Sequence, residues 1–134
     1  MTKNNQIKAD YPDIFRDCFD FSTGDGWAEL IDALCSAIDG HKKWGYIDRG
    51  TGDTTPPDIQ VRQIKEKFGT LRVYVANATY EVDGMIRLAE VIASRTCEFC
   101  GSNIEVTNSS GAENVWRKNL CLKCHEERDK RLGD

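Results

Sequence analysis

The amino-acid sequence predicts an α+β protein in which N-terminal helices pack on a β-hairpin, followed by a long helix and a C-terminal four-cysteine module. Apolar residues recur at the helical period in two segments, and between these they alternate with polar residues in two shorter ones. Two Cys-x-x-Cys pairs follow near the end of the chain. The predicted organisation is a disordered tail over residues 1–9, an α+β core over 10–95 and a metal-binding module over 96–134.

Composition and charge exclude several classes of protein. Hydrophobic residues make up 40% of the 134 residues and charged residues 30%, which is typical of a globular protein. A net charge of −4 makes the chain as a whole a poor electrostatic trap for nucleic acid. No apolar run approaches the roughly 18 residues of a membrane span, and "MTKNNQIKAD" has no signal-peptide core. These observations predict a cytoplasmic protein without a membrane partner.

The segment after the predicted tail is rich in acidic residues. Asp10, Asp13, Asp17 and Asp20 are spaced by three and four residues, which predicts a short amphipathic helix with an acidic outer face. Such a face is one candidate surface for a protein partner, because it can imitate the phosphates of nucleic acid. The alternative is an ordinary solvated surface.

The next segment, "GWAELIDALCSAIDG", is the clearest helix of the sequence. Its apolar residues from Trp27 to Ile38 form one stripe, and Gly40 is placed to end the helix. Cys35 lies on the stripe, so it is predicted to be a core residue. A loop is predicted from His41 to Asp58.

The segment "DIQVRQIKEKFGTLRVYVAN" alternates between apolar and polar residues and predicts a β-hairpin with a basic outer face. Gly69 supplies positive φ at its tip. The outer face gives a second candidate surface for a partner or for nucleic acid, because basic and aromatic side chains interleave there. Its candidate binding residues are Arg62, Lys65, Lys67, Phe68 and Arg72. The alternative is that the aromatic residues serve packing.

The long helix is predicted over "EVDGMIRLAEVIASR". Six of its apolar residues share one face, which Leu88 and Val91 widen; the six are Val82, Met85, Ile86, Ala89, Ile92 and Ala93. This helix leads directly into the first cysteine pair.

The two cysteine pairs predict one structural zinc ion. Cys97, Cys100, Cys121 and Cys124 have the spacing of a four-cysteine site, and Zn²⁺ prefers four such ligands in a tetrahedron. Gly101 suits the tight turn after the first pair, and the second pair opens a predicted helix. A hairpin is predicted between the pairs, with strands at Ile104–Val106 and Val115–Leu120 and its turn at Asn108–Gly111. The alternative is four buried thiols without a metal.

The string "NLCLKCH" resembles the tail of the HNH endonuclease motif. That motif needs a histidine general base and a catalytic metal, yet no histidine lies between Cys100 and Cys121. The prediction is therefore a non-enzyme, an HNH-like remnant without catalytic histidines. Whether His125 contacts the metal stays open, as does a Cys18 or Cys35 nucleophile paired with His41.

The order of knuckle, hairpin and helix resembles the treble-clef class of zinc module. With "GDGWAELIDALCSAI", "KEKFGTLR" and "TCEFCG", the chain from Gly24 to Cys124 resembles a family of small zinc-ribbon proteins encoded by bacteriophages and prophages. The resemblance implies the same four cysteines as ligands, a setting in a bacterial host cell and no assigned activity.

These observations lead to an expected function. The chain is predicted to be a non-enzymatic, zinc-binding accessory protein of the phage type that binds a host protein, with inhibition of a host or anti-phage defence complex as one form of action. The first alternative is a nucleic-acid-binding zinc ribbon that uses the basic hairpin over 62–74. A nucleotide sponge and a degenerate nuclease are weaker alternatives.

Overall fold

The structure, a computed structural model, describes residues 1–109 and 117–133. In chain order its elements are α1 (Lys3–Asp10), β1 (Asp20–Ser22), a 3₁₀ turn (Asp25–Trp27), α2 (Ala28–Gly40), a π-helical turn (His41–Gly45), β2 (Gln60–Lys67), β3 (Thr70–Ala76), α3 (Tyr80–Ser94), β4 (Val106–Ser109), β5 (Lys118–Cys121) and α4 (Leu122–Gly133). The predicted α+β class is confirmed. No helix in these two ranges is both long and apolar enough to cross a membrane.

The main sheet has three strands in the order β1-β2-β3, with β1 parallel and β3 antiparallel to β2. The strands β2 and β3 form the predicted hairpin. Its two-residue turn is Phe68–Gly69, and both residues have positive φ, 54° and 78°. Positive φ at both positions is the geometry that matches the twist of a hairpin.

Helices α2 and α3 bury their predicted apolar stripes against this sheet. The buried residues of the two helices are Ala28, Ile31, Leu34, Cys35, Ile38, Val82, Ile86, Ala89 and Ala93. Cys35 is fully buried, and this burial raises the pKa of its thiol strongly. Two residues of α3 depart from the prediction. Ile92, predicted on the apolar face, is 44% exposed, and Leu88, predicted to widen that face, is 61% exposed.

The N-terminal segment corrects two predictions. Most of the tail over residues 1–9, predicted to be disordered, belongs to α1 (Lys3–Asp10), whose first turn is capped by the Thr2 hydroxyl and whose Ile7 is buried. The predicted acidic helix from Asp10 onward is replaced by turns over 12–17 and by β1. The Ile14 carbonyl accepts a hydrogen bond from Val61 N–H at 2.7 Å, so this segment joins the sheet.

The end of α2 corrects another prediction. Gly40 has helical φ and ψ of −63° and −42°, and the chain continues through the π-helical turn before Tyr46 becomes extended. His41 in this turn lies with its Nε2 2.9 Å from Thr79 Oγ1 at the start of α3. This contact holds the turn against the neighbouring helix.

The C-terminal module consists of the antiparallel pair β4–β5 and of α4. Ile104, predicted in the first strand, lies in a bend before β4 and is exposed. Cys121, predicted in the first turn of the last helix, is instead the final residue of β5. The rest of the predicted hairpin, residues 110–116, lies outside the described residues.

Candidate metal centre

Three local structures position the four candidate ligands. Cys97 and Cys100 lie in the tight turn after α3, where Gly101 has φ +83° and its N–H donates to the Cys97 carbonyl at 2.9 Å. Cys121 ends β5 and Cys124 lies in the first turn of α4. The turn, the strand and the helix thus bring the two pairs together across twenty intervening residues.

The geometry of the sulfurs fits a thiolate zinc site. All four Sγ atoms lie within 4.8 Å of one another, and Cys100 Sγ is 3.7 Å from Cys121 Sγ. Sulfurs about 2.3 Å from a tetrahedral zinc ion are about 3.8 Å apart. Cys97, Cys121 and Cys124 are buried, and Cys100 is exposed. The four cysteines can therefore hold one metal ion, and the soft donor set favours zinc.

The surroundings of the thiols prepare one of them for ionisation. Burial by itself raises the pKa of Cys97, but hydrogen bonds from backbone N–H groups of Cys100, Cys121 and Phe99 lower it to about 7. The pKa of Cys124 is raised by burial and by hydrogen bonds with the other thiols. Four adjacent thiolates repel one another, so full deprotonation requires a bound cation.

His125 follows Cys124 but lies beside the sulfur cluster. Its Nε2 is 2.8 Å from the Thr107 carbonyl, and since a carbonyl only accepts, the ring donates from this atom. Its Nδ1 is buried without a hydrogen-bond partner among the described residues. Among the described residues, the candidate ligand atoms that lie within 4.8 Å of one another are the four cysteine sulfurs, and no atom of His125 belongs to this group. The ring therefore fastens α4 to β4.

The cysteine turn lies directly on the 3₁₀ turn of the core. Gly26 N–H donates to the Glu98 carbonyl at 2.7 Å, and Trp27 Nε1 donates to the Thr96 carbonyl at 2.9 Å. A Cβ atom on Gly26 would lie 2.2 Å from the Cys97 carbonyl oxygen. This contact was not predicted from the sequence, although the glycines of "GDGW" are a signal of close backbone approach.

Asn119 of β5 connects the module to the end of α3. Its side-chain amide donates to the carbonyls of Ala93 and Thr96 at 2.8 and 2.9 Å, and its backbone carbonyl accepts from Glu98 N–H at 2.9 Å. Asn119 is buried, so these bonds satisfy its donors away from water. This residue was also missed, because a lone asparagine in a strand carries no sequence signal.

The tip of the main hairpin is held by the same module. Lys118 of β5 forms ion pairs with Glu66 and, at 3.9 Å, with Glu98. Burial raises the pKa of Glu98, and the charge of Lys118 opposes that shift. Asn108 Nδ2 donates to the Phe68 carbonyl at 2.9 Å, and Glu66 accepts from Gly69 N–H at 2.7 Å. The C-terminal module and the hairpin tip thus share one polar network.

The predicted binding residues lie together on the hairpin. Lys65 and Arg72 are cross-strand partners, Lys67 precedes the turn, and Phe68 forms the turn. Arg62 is exposed at an irregularity of the strand pairing between Val61 and Gln63. No carboxylate of the described residues forms an ion pair with any of the four cations.

The predicted acidic face is not formed by its four residues. Asp10 accepts from Gln6 in α1, and Asp13 contacts Lys42 at 3.0 Å. Asp20 lies in β1 and accepts from Gln63 at 2.9 Å, while Asp17 is exposed in the turns between them. Three of these carboxylates therefore have internal partners, and the four belong to different local structures.

The alternative nucleophiles are not brought to His41 either. Cys35 is buried on α2, and the Cys18 thiol contacts the Asp20 carbonyl at 3.5 Å. His41 contacts Thr79, and its ring packs edge-on against Tyr46.

Comparison of the sequence and the structure with family models, curated proteins and solved structures found no match.

Proposed function

We propose that this chain is a non-enzymatic binding protein whose C-terminal module is built around one structural zinc ion. The observation that carries the proposal is the composition of the module's buried cluster. It consists of Cys97, Leu120, Cys121 and Cys124, with Val106 packed against it. Three of the four buried residues are candidate ligands, so the described part of the module has little apolar core apart from them. In such modules metal binding supplies the folding free energy.

The coordination chemistry supports a structural role for the ion. Four cysteine thiolates fill the tetrahedral positions of zinc, which leaves none for water or substrate. The hydrogen bonds from Gly26, Trp27 and Asn119 then transmit the position of the cysteine turn to the core. The ion would fix the module, and through Lys118 and Asn108 the module would fix the tip of the main hairpin.

Metal analysis of the purified, reduced protein tests the proposal. We expect one zinc per chain in the wild type and in the control variant Cys18→Ser, since Cys18 lies outside the cluster. Cys97→Ser removes a buried thiolate, so we expect it to lose zinc and to unfold at a lower temperature. A Cys97→Ser protein with full zinc content and unchanged thermal stability would contradict the structural site.

A second candidate function is binding of a host protein, as expected of a phage-type accessory protein. It is favoured by large apolar side chains exposed where α2 ends and α3 begins, with Trp44 88% and Tyr80 93% exposed. The turn that carries Trp44 is joined to the start of α3 by His41, whose Nε2 lies 2.9 Å from Oγ1 of Thr79, the residue before Tyr80. Exposed aromatic residues are typical anchors of protein interfaces.

Crosslinking in cells that express the protein tests this second function. We expect one distinct crosslinked partner for the wild type and its loss for Trp44→Ala. Phe19→Ala is the matched control, because Phe19 is also exposed but lies beside β2, where its N–H donates to the Arg62 carbonyl at 3.0 Å. Equal crosslinking by both variants would contradict an interface at Trp44.

Membership of the phage zinc-ribbon family stays a proposal that rests on the segments "GDGWAELIDALCSAI", "KEKFGTLR" and "TCEFCG".

A further inference from the structure

We propose that the outer face of β2 and β3 binds single-stranded nucleic acid, with Lys65 and Arg72 holding phosphates and Tyr74 stacking on a base. This inference rests on the proposed binding role and names the partner class and the surface. It stands on strand register, unpaired charge and the position of one aromatic ring.

Strand alternation places one set of side chains on the outer face of the sheet. Inner positions such as Val61, Ile64 and Leu71 are buried, so the positions between them face outward. By cross-strand pairing the outer residues are Gln63 opposite Tyr74, Lys65 opposite Arg72 and Lys67 opposite Thr70. On β1, Asp20 lies opposite Gln63 and Ser22 lies opposite Lys65. The outer face therefore carries three cations, one tyrosine, one aspartate and three uncharged polar residues.

The pair of Lys65 and Arg72 is the first reason to expect an anionic ligand. Like charges directly opposite each other destabilise an antiparallel sheet. Within the described residues no carboxylate forms an ion pair with either of them. Elsewhere in the described chain, five cations each form an ion pair with a carboxylate: Arg16, Lys42, Lys43, Arg49 and Lys118. A bound phosphate would remove the repulsion between Lys65 and Arg72.

The aromatic ring beside this pair is the second reason. Tyr74 is 46% exposed, and Lys65 Nζ lies 5.9 Å from the centre of its ring. The irregularity in β2 leaves Arg62 as the extra residue between Val61 and Gln63, so an exposed cation directly precedes Gln63, the cross-strand partner of Tyr74. Aromatic rings that alternate with cations on a strand pair can stack on bases and hold the connecting phosphates.

The same chemistry favours a single strand over a duplex. A stacking ring needs an unpaired base, because the bases of a duplex already stack on one another. An acidic protein would satisfy the cations but would offer no base to stack on Tyr74. Asp20 lies next to Gln63 at the β1 edge, and its carboxylate would repel phosphates. The nucleic-acid strand is therefore expected to pass over Lys65, Lys67 and Arg72 instead.

Fluorescence anisotropy with a labelled oligothymidylate of about 15 nucleotides tests the inference on the full-length, zinc-loaded protein. We expect binding that weakens as salt rises. Lys65→Glu/Arg72→Glu should abolish this binding at moderate salt. In the milder Lys65→Gln/Arg72→Gln variant, the slope of log K against log salt should become shallower by about 1.4, since each phosphate contact contributes about 0.7. Tyr74→Leu should weaken binding about tenfold through loss of stacking.

The control variant is Lys3→Glu/Arg87→Glu, which changes the net charge equally at exposed positions on α1 and α3, outside β2 and β3. Equal weakening by this control would overturn the assigned surface. Equal affinity for a duplex would overturn the single-strand assignment, and equal competition by polyglutamate would replace nucleic acid by an acidic protein. Zinc content and thermal stability of each variant are measured in parallel. A folded, zinc-loaded protein that binds no oligonucleotide would refute this inference and leave the structural zinc site intact.

Discussion

At Gly26 the backbone of the core comes so close to the cysteine turn that no side chain fits between them. A Cβ atom there would lie 2.2 Å from the Cys97 carbonyl oxygen and 2.6 Å from that of Glu98. Both obstacles are backbone atoms, so they cannot move aside as a flexible side chain would. The absence of a side chain at one residue therefore permits the contact between the two parts of the chain.

We expect Gly26→Ala to destabilise the protein by about 3 kcal/mol, at the upper end of overpacking effects, because the cysteine turn must shift. Urea denaturation measures this change, and zinc content should fall with it. The matched control is Gly84→Ala in α3, where an added Cβ meets no atom within 4 Å. That variant should be more stable by about 0.5–1 kcal/mol, since alanine is the better helix former. A Gly26→Ala protein as stable as the wild type would contradict the close contact.

At the scale of elements, the sequence predicted those parts whose pattern is local. The stripes of α2 and α3, the alternation of β2 and β3 and the spacing of the cysteines can each be recognised within a short window. Strand β1 has only three residues, and α1 has one buried apolar residue, Ile7, so neither shows a period. The contacts of Gly26 and Asn119 with the cysteine turn and α3 join distant parts of the chain, which no local pattern encodes.

A charged cluster ties the π-helical turn to the N-terminal turns and to the start of β2. Lys42 contacts Asp13 at 3.0 Å and Asp58 at 2.8 Å, and Arg16 also pairs with Asp58. Hydrogen bonds from Lys42 and Gln60 lower the pKa of Asp58, and the positive charges of Lys42 and Arg16 lower it further. The folded state therefore favours the ionised carboxylate.

The lowered pKa of Asp58 gives a pH-dependent prediction. Its contribution to stability is present above the ordinary aspartate pKa of 3.8 and is lost as the pH falls through the lower folded value. Asp58→Asn should reduce the urea midpoint at neutral pH, and the difference from wild type should shrink below about pH 3. Asp17→Asn, at an exposed position, is the control and should differ little at either pH. A difference for Asp58→Asn that is independent of pH would contradict the ion-pair explanation.

At the scale of the molecule, the described residues form two hydrophobic clusters of very different size. The larger cluster contains seventeen buried residues from α1 to α3 and needs no metal for its packing. The smaller cluster contains three cysteines and one leucine. The larger cluster is therefore expected to stay folded when the smaller one loses its metal.

Removal of zinc by a chelator under reducing conditions tests this difference. Hydrogen exchange should show retained protection in α2, α3, β2 and β3, and lost protection in β4, β5 and α4. Added zinc should restore the lost protection, whereas magnesium should not, because thiolates are poor ligands for hard cations. Uniform loss of protection across the chain would show that the core also depends on the metal.

The exposure of Cys100 bears on how a metal would leave this centre. Cys97, Cys121 and Cys124 are buried, so a competing ligand or an oxidant in solution meets the Cys100 sulfur first. If the bond between the Cys100 sulfur and the metal opened, three buried thiolates would still hold the ion, and one coordination position would be free for an incoming ligand. Metal exchange would then proceed stepwise through Cys100, at a rate set by the accessibility of this sulfur and not by unfolding of the module.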